Sequence, residues 1–232
     1  MKILAIIPCR SGSKGLKDKN IKELCGKPLC AYTIESAINA NCFDEVHFST
    51  DSVEYAKIAE KYGAKVPFLR DSILATDTSS SWDVVKNVVQ CYAKKGKDFD
   101  AVMLLQATSP LRSSEDIVNA IKLLKEKSAN AIVSVAETEH SPYWSAELPA
   151  DGDMAVFYER VKNAYRRQEC AASFSLNGAL YLVKLPYLFE CENIFQEKCY
   201  AYVMPRERSF DIDTQFDFDL CRFLMSERMK DF

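Results

Sequence analysis

Residues 3–15 read ILAIIPCRSGSKG, a short apolar run followed at once by a loop of glycines, serines and cations. Five consecutive apolar residues, Ile3–Ile7, are too few for a signal-peptide core or a membrane span, and they predict a fully buried β-strand. In the loop, glycines permit close backbone approach and successive N–H groups can form a nest for an anion. The stretch therefore predicts a buried strand that ends in a phosphate-binding loop, with a solvated basic turn as the alternative.

The loop does not match two common phosphate-binding motifs. The sequence contains no G-x-x-x-x-G-K-[ST], which excludes a P-loop NTPase. It contains no G-x-G-x-x-G either, and Asp51 lies too far along the chain for the acidic residue of a dinucleotide-binding unit. A dehydrogenase is therefore disfavoured.

Outward from this loop, short apolar runs alternate with helical patterns, which is typical of a mostly parallel α/β sheet. The pattern predicts strands at Ile3–Ile7, Glu45–Ser49, Ala101–Leu105, Ala131–Val135, Ala179–Val183 and Tyr200–Met204. It predicts helices near Pro28–Ala40, Val53–Tyr62, Ser81–Lys94, Ser114–Lys125 and Gln215–Met229. From 137 to 175 the pattern degrades, and this segment is expected to leave the sheet as an arm, such as a hairpin.

Composition limits the class of protein. The chain has 232 residues, of which 48% are apolar and 27% charged, so a single domain with an ordinary core is expected. The net charge of -3 gives no sign of nucleic-acid binding. Nine cysteines without a C-x-x-C pair and two histidines argue against a zinc site and against a disulfide framework. We expect a soluble, cytoplasmic protein that binds neither membranes nor nucleic acid.

Ligands of open α/β sheets bind outside the carboxyl ends of the strands, so the loops after the strands are the candidate site. Gln106 ends one strand, and its amide can donate and accept hydrogen bonds in the cleft. Arg112, six residues on, could act there or simply cap or solvate the next helix. Arg70 is a candidate cation, with a surface ion pair as the alternative. Ser79, Ser80 and Ser81 precede Trp82 at a helix start and suit a nucleotide, although one serine there is expected as an N-cap.

Asp211 and Asp213 form the last candidate. If the chain is extended here, alternate side chains share a face, and both carboxylates point into one cleft. Two carboxylates suit Mg²⁺ that also holds substrate phosphates. The alternative is that Asp213 or Thr214 caps the final helix, which would explain one acid but not the pair.

The first loop, ending in Lys19-Asn20, resembles the signature of CMP-sialic acid synthetases, the acylneuraminate cytidylyltransferases. The resemblance continues through Ser49-Thr50-Asp51, LQATSPLR at 105–112, Asn177-Gly178-Ala179-x-Tyr181 and Asp211-Ile212-Asp213-Thr214, in the family's order and over almost the whole chain. It implies a three-layer Rossmann-like nucleotidyltransferase fold in one domain, 1–232, with the arm at 137–175 serving dimerisation. It further implies transfer of CMP from CTP to the anomeric hydroxyl of a 2-keto nonulosonic acid.

The resemblance also implies a role for each candidate residue. Catalysis would rest on Arg10, Lys14 and Asp211. Nucleotide binding would fall to Arg10, Ser11, Gly12, Ser13, Lys14, Lys19, Asn20, Arg70, Ser80 and Ser81. Sugar binding would fall to Gln106, Thr108, Asn177, Tyr181 and Arg167. The protein would be a homodimer with a shared active site, in which Arg167 reaches the acidic sugar from the partner subunit. Mg²⁺ would bind Asp211 and Asp213.

Two departures from the family pattern concern the sugar. Phe174-Ser175-Leu176 stands where many relatives carry a basic residue, and Trp144 stands where some carry Lys. The same reaction on legionaminic acid or a related diamino sugar is therefore an alternative to N-acetylneuraminic acid. A catalytically silent nucleotide-binding regulator and an enzyme that uses another nucleotide are further alternatives. Whether Asp211 or metal-assisted ionisation removes the proton of the attacking hydroxyl stays open at this stage.

Overall fold

The apolar runs of the sequence assemble into a six-stranded sheet, and a separate two-stranded hairpin is formed by Glu23–Leu24 and Lys27–Pro28. The structure, a computed structural model, describes residues 1–13, 15–76, 79–162 and 171–228. The eight strands are β1 (Ile3–Pro8), β2 (Glu23–Leu24), β3 (Lys27–Pro28), β4 (Glu45–Ser49), β5 (Ala101–Leu105), β6 (Ala131–Glu137), β7 (Phe174–Lys184) and β8 (Cys199–Val203).

The order of strands across the sheet is β4-β1-β5-β7-β6-β8. β1 pairs in parallel with both β4 and β5, and β6 pairs in parallel with β8. β7 runs antiparallel between β5 and β6. The carboxyl ends of β1, β4 and β5 therefore lie at one edge of the sheet, next to the amino-terminal half of β7. The expectation of a mostly parallel α/β sheet is confirmed.

Helices cover both faces of the sheet. They are α1 (Leu29–Asn39), α2 (Val53–Lys61), α3 (Ser81–Ala93), α4 (Ser114–Glu126), α5 (Ala155–Val161), α6 (Leu185–Glu190) and α7 (Gln215–Arg228). α1, α2 and α4 bury their apolar sides against one face, and α3 and α6 cover the other. Serines cap three of them, because the side chains of Ser52, Ser80 and Ser113 accept backbone N–H groups at the starts of α2, α3 and α4. The five helices expected from the sequence are present, with ends within a residue or so.

The arm predicted at 137–175 is shorter than expected. β6 and β7 continue their antiparallel pairing past a register shift, as far as Glu137 opposite Phe174. Three residue pairs follow the register shift, from Val135 opposite Leu176 to Glu137 opposite Phe174. The segment that leaves the sheet is therefore 138–173. It contains a 3-10 turn at Pro142–Trp144 and α5, and residues 163–170 lie outside the described part of the chain. Its role in dimerisation stays a prediction.

Within the described ranges, no helix has the length and apolar character needed to cross a membrane.

Candidate active site

A cleft of about 330 Å³ opens at the sheet edge where β1, β4 and β5 end. Its walls come from four loops that are far apart in the sequence: the loop after β1, the segment before α3, the loop after β5 and the segment before α7. The lining residues are Pro8, Arg10, Ser13, Lys19, Asn20, Arg70, Leu74, Thr76, Ser79, Ser81, Val84, Gln106, Ala107, Thr108, Asp211 and Asp213.

The loop after β1 supplies Arg10 and Ser13 to the cleft. Asn20 is buried and its amide Nδ2 donates to the carbonyl oxygen of Arg10 at 3.3 Å, so it fixes the loop from below. The buried Ser13 Oγ has no hydrogen-bond partner among the described residues. A buried hydroxyl without a partner at a cleft wall is a polar group ready for a ligand. Lys14 lies outside the described residues.

Ser11 and Gly12 belong to the same loop but do not line the cleft. The Ser11 N–H donates to Asp51 Oδ1 at 2.8 Å, and its hydroxyl donates to Asp51 Oδ2 at 2.7 Å. Both donors of Ser11 are therefore directed at the end of β4. Gly12 follows with φ +69, a left-handed conformation that glycine adopts without steric cost.

Asp211 and Asp213 both line the cleft, while Ile212 between them is fully buried in the core under α7. This alternation agrees with the extended conformation expected from the sequence. Capping of α7 is carried out by Thr214, whose Oγ1 accepts from the Asp217 N–H, and by Asp217, whose Oδ2 accepts from the N–H groups of Asp213 and Thr214. The Asp213 carboxylate is thus not used as the helix cap.

The two acids differ in their surroundings. Burial, and secondarily the neighbouring Asp213 carboxylate, raise the pKa of Asp211 despite a hydrogen bond from Thr108. Asp211 Oδ1 is buried and has no hydrogen-bond partner within the described part of the chain. The Asp213 side chain is 76% exposed, and its Oδ1 accepts from Lys19 Nζ at 2.9 Å. A buried carboxylate oxygen without a partner beside a second carboxylate fits a hard cation such as Mg²⁺.

Lys19 links the cationic loop to the acidic segment. Its Nζ donates to the carbonyl oxygen of Ile212 at 2.6 Å as well as to Asp213. A β-carbon on Gly15 would lie 3.1 Å from the carbonyl oxygen of Asp213, so the loop backbone packs closely against the same segment. The first and last motifs of the chain therefore share one wall of the cleft.

Arg70 is held inside the cleft rather than on the surface. Its Nε donates to Ser49 Oγ at 3.1 Å and its Nη2 to the carbonyl oxygen of Ser49 at 2.6 Å. Burial lowers the pKa of this guanidinium, partly offset by the nearby Cys9 and Asp51. The alternative of a surface ion pair is wrong, because the two bonds to Ser49 hold the guanidinium at the end of β4.

The two predicted serines have different positions. The Ser80 hydroxyl accepts the Trp82 N–H at 3.1 Å as the N-cap of α3, and Ser80 does not line the cleft. Ser81, the first residue of the helix, does line it. Ser80 therefore caps the helix, and Ser81 forms part of the cleft wall.

Gln106 occupies the end of β5 as expected, and Thr108 lies beside it in the cleft wall. The carbonyl oxygen of Gln106 accepts from Thr33 Oγ1 and from Arg112 Nη1, both at 3.2 Å. Its side chain lies against Gly178 of β7, where an added β-carbon would be 2.5 Å from Oε1. Two hydrogen bonds thus hold the backbone carbonyl group of Gln106, and its side-chain amide packs against Gly178.

Arg112 is buried, with 3% of its surface exposed, which corrects the expectation that it could cap or solvate a helix. Its Nη1 donates to the carbonyl oxygens of Gln106 and Ala179 and so connects the ends of β5 and β7.

Asn177 and Tyr181 lie in β7 and do not line the cleft. Asn177 Oδ1 accepts from Ser134 Oγ at 2.5 Å and Nδ2 donates to Ser209 Oγ at 3.0 Å, so the protein itself uses the amide. The Tyr181 ring meets the Trp82 ring edge to face, with centroids 5.8 Å apart. Arg167 lies outside the described residues.

Sequence reasoning missed several residues of the cleft wall. Leu74 and Thr76 belong to the irregular segment before α3, which has no periodicity that marks them, whereas Ser79, the first of the three expected serines, lines the cleft. Asp51 was noted in the sequence but was not assigned a function. Its position after β4, the neighbour of β1 in the sheet, was the signal that could have identified it.

Comparison with known proteins shows the family and the fold. A family model described as cytidylyltransferase matches residues 4–230. A CMP-N,N'-diacetyllegionaminic acid synthase of Legionella pneumophila is 36% identical, with 97% of both chains covered. A pseudaminic acid cytidylyltransferase of Campylobacter jejuni is 34% identical, with 97% of this chain and 96% of the relative covered. An N-acylneuraminate cytidylyltransferase of Escherichia coli is 38% identical over 94% of this chain, which spans about half, 51%, of that relative.

Among solved structures, a CMP:2-keto-3-deoxy-manno-octonic acid synthetase in complex with CTP has the same fold, with a TM-score of 0.74 at 16% identity. The alignment covers 98% of this chain and all of that one. The resemblance drawn from the sequence motifs is confirmed by the relatives. The chain belongs to the cytidylyltransferase family.

Proposed function

We propose that the protein transfers CMP from CTP to the anomeric hydroxyl of a sialic-acid-like nonulosonic acid and releases pyrophosphate. The observation that carries the proposal is the pairing of charges in one cleft. Arg10, Lys19 and Arg70 face the same space as Asp211 and Asp213. Cations suit a triphosphate, whereas two acids in the same space would repel it unless a metal ion intervened.

Asp211 and Asp213 are the residues that would hold Mg²⁺. When bound, Mg²⁺ would neutralise charge on the triphosphate and polarise the reacting phosphorus. The donor set supports this assignment, because it consists of hard carboxylate oxygens and includes the unpartnered Asp211 Oδ1. Lys19 already neutralises part of the Asp213 charge and orients that carboxylate toward the cleft.

The cationic loop would bind the phosphates and stabilise the departing pyrophosphate. Arg10 stands at the cleft wall, and Lys14 adds a second cation to the same loop in the sequence. Charge-assisted hydrogen bonds from such groups are strong and directional. The catalytic contribution of the chain is then mostly positioning and electrostatic stabilisation.

The attacking hydroxyl must lose a proton, and two routes are proposed: transfer to Asp211 or ionisation assisted by the bound metal. Burial raises the pKa of Asp211, whereas Mg²⁺ on the same carboxylate would lower it. Gln106 and Thr108 flank the same space and would orient the sugar.

The acceptor is proposed to be N-acetylneuraminic acid, with a diamino sugar such as legionaminic acid as the alternative. Relatives named for each of these sugars match the chain at similar identity. The alternative is favoured by the stretch Phe174–Leu176, which presents exposed apolar side chains where many relatives carry a cation. An apolar surface suits the methyl group of the additional acylamino substituent of a diamino sugar better than it suits a hydroxyl.

We also propose a homodimer in which the arm of one subunit completes the site of the other, with Arg167 approaching the sugar carboxylate. A bidentate arginine matches a carboxylate in geometry. Exposed apolar side chains on the described part of the arm support a protein interface there. They are Tyr143, Leu148, Met154, Val156 and Tyr158.

The test is pyrophosphate release from CTP, with and without Mg²⁺, using N-acetylneuraminic, legionaminic and pseudaminic acids and Kdo as acceptors. We expect Mg²⁺-dependent release with one nonulosonic acid and little with UTP. Asp211→Asn should lower kcat by about 100-fold or more, in the range found for removal of one electrostatic catalytic group. Asp219→Asn on the exposed side of α7 is the matched control and should leave kcat unchanged.

The outcome against the proposal is a folded protein that binds CTP but releases no pyrophosphate with any acceptor. That result would favour the silent nucleotide-binding regulator.

A further inference from the structure

Asp51 lies two residues beyond Ser49, the last residue of β4, beside the loop that follows β1. It meets that loop at one residue, Ser11, and with both carboxylate oxygens. Oδ1 accepts the Ser11 N–H at 2.8 Å, and Oδ2 accepts the Ser11 hydroxyl at 2.7 Å. Two charge-assisted hydrogen bonds to adjacent donors fix both the position and the orientation of the residue that bears them.

The charge of Asp51 is unfavourable for the ligand that this cleft is proposed to bind. Asp51 attracts Arg70, and Arg70 in turn lies close enough to Arg10 for their charges to repel. A carboxylate among cations weakens the field that a triphosphate would experience. Despite burial, hydrogen bonds from Ser11 hold the pKa of Asp51 below its usual value, so the group is ionised at neutral pH. Because the charge of Asp51 opposes binding of an anion here, we expect this residue to make a structural contribution that offsets the repulsion.

The contact with Ser11 provides that contribution. Ser11 is followed by Gly12, whose φ of +69 turns the backbone into the segment that carries Ser13 to the cleft wall. Asn20 holds the residue before Ser11, through the carbonyl oxygen of Arg10. With Asn20 on one side and Asp51 on the other, the loop enters its turn in one conformation, which lowers the entropy lost when a ligand binds.

We infer that Asp51 is a positioning residue that holds the phosphate-binding loop in its binding-competent conformation through Ser11. The inference rests on the proposed function in one respect, namely that the ligand of the loop is CTP. It also assigns Ser11 a different role from direct contact with the nucleotide, because both of its donors are used by Asp51.

Two variants of Asp51 separate hydrogen bonding from charge. Asp51→Asn keeps the shape and both contacts, since its amide oxygen accepts the Ser11 N–H and its NH₂ group donates to the Ser11 hydroxyl oxygen. Asp51→Ala removes both contacts. We expect Asp51→Ala to weaken CTP binding about tenfold, the effect of losing a charge-assisted hydrogen bond. Asp51→Asn should bind CTP within about twofold of wild type or more tightly, because the repulsive charge is gone.

The measurement is the Kd of CTP by isothermal titration calorimetry with Mg²⁺ and no acceptor, followed by KM and kcat for CTP and for the acceptor. A positioning role predicts a change in Kd and in KM for CTP, with KM for the acceptor unchanged. If Asp51→Asn loses binding as severely as Asp51→Ala, the carboxylate charge itself is required and the positioning role is wrong.

Ser11→Ala supplies an independent test through a double-mutant cycle. This variant keeps the N–H bond and loses the hydroxyl bond, so a smaller loss of about threefold is expected. In the Asp51→Ala background the same substitution should have no further effect, because its partner is absent. Additive losses would mean that Ser11 contacts the nucleotide directly and would overturn the inference.

Asp44→Ala is the matched control for Asp51→Ala. Asp44 Oδ2 accepts the Ile3 N–H at 2.8 Å, so it joins the same two strands at their opposite ends. This variant should lower the melting temperature about as much as Asp51→Ala without changing the Kd of CTP. A wild type that binds no CTP would refute the proposed function, whereas a wild type and an Asp51→Ala variant with equal Kd would refute this inference alone.

Discussion

The Gln106 side chain packs against the backbone of Gly178. A β-carbon at position 178 would lie 2.5 Å from Gln106 Oε1, closer than non-bonded atoms approach. Gly178 also has a φ of +71, a conformation that costs other residues about 1 kcal/mol or more. The absence of a side chain at 178 therefore determines where the Gln106 amide stands.

Gly178→Ala should displace the Gln106 side chain and raise KM for the sugar acceptor by about tenfold, the effect of one misplaced hydrogen-bonding group. The Kd of CTP should not change, because the contact lies on the sugar side. Gly96→Ala is the control, since Gly96 has a φ of +72 and no atom within 4 Å of an added β-carbon. Both variants should lose similar stability in urea unfolding. Equal KM values for the acceptor in both would show that the contact with Gln106 is not used.

The contacts of Arg112 could not be predicted from the sequence. Its Nε and Nη2 have no hydrogen-bond partner among the residues that the structure describes, and burial lowers its pKa to about 10, although Asp116 opposes the shift. A buried, incompletely paired guanidinium costs free energy. What it provides is the connection between the carbonyl oxygens of Gln106 and Ala179, on two strands that are distant in the sequence. Nothing in the local pattern around 112 reveals that contact.

At the scale of elements, β6 and β7 are distorted where they approach the cleft. Their register shifts between Val133 and Val135, and Ser134 at the shift bonds through Oγ to Asn177 and to the backbone of Leu180. Bulges of this kind occur near active sites and redirect the chain locally. Gly178, which lies beside Gln106, is part of this bulge. The Asn177 side-chain amide accepts a hydrogen bond from Ser134 at this bulge, so the amide is buried rather than exposed to the cleft.

The start of α4 carries a buried ionic cluster around Asp116. Its Oδ1 accepts from Arg208 Nη2 at 2.8 Å and from the Tyr202 hydroxyl at 3.1 Å, and Oδ2 completes a capping box with Ser113. Although burial opposes it, the hydrogen bond from Arg208, those from Ser113 and the charge of Arg208 hold the pKa of Asp116 below its usual value. The cluster ties α4 to the segment after β8.

Because the folded pKa of Asp116 is depressed, its stabilising effect is present above the unfolded pKa of about 3.9 and is lost as pH falls through the folded pKa. Asp116→Asn should lower the free energy of unfolding by roughly 2–3 kcal/mol at pH 7, since one member of a largely buried pair is removed. Urea unfolding at pH 7, 5 and 3 should show the same difference from wild type at pH 7 and 5 and a smaller one at pH 3, below the unfolded pKa of about 3.9. A difference that does not vary with pH would contradict the ionic assignment.

At the scale of the whole molecule, strand order assembles the site. β1 lies between β4 and β5, so the loops after all three meet at one edge. The antiparallel β7 brings Gly178 to that edge, and the segment before α7 returns there through Lys19. The open surface beside this edge includes Phe174 and Leu176, which are 49% and 55% exposed.

If a second subunit covers that surface, Leu176→Asp should shift the protein toward monomer and lower activity together with it. Sedimentation velocity across a concentration series measures the equilibrium, and we expect at least a tenfold weaker dimer, since burial of one charge in place of a leucine costs several kcal/mol. Val53→Asp, an exposed apolar position at the start of α2, is the control and should leave the oligomeric state unchanged. A fully active wild-type monomer would contradict the shared site.

The sequence alone was sufficient for the six strands of the main sheet, the five long helices and the family, since buried strands, capping serines and motif order are local patterns. It identified Gln106, Asp211 and Asp213 for the same reason: each stands directly at the end of a strand or in an extended segment. It could not assign Arg112 or Ser11, and it did not decide which serine caps α3. Those roles depend on which backbone groups lie opposite, and strand order and the β6–β7 bulge bring these groups together from positions distant in the chain. Tertiary structure alone decided them.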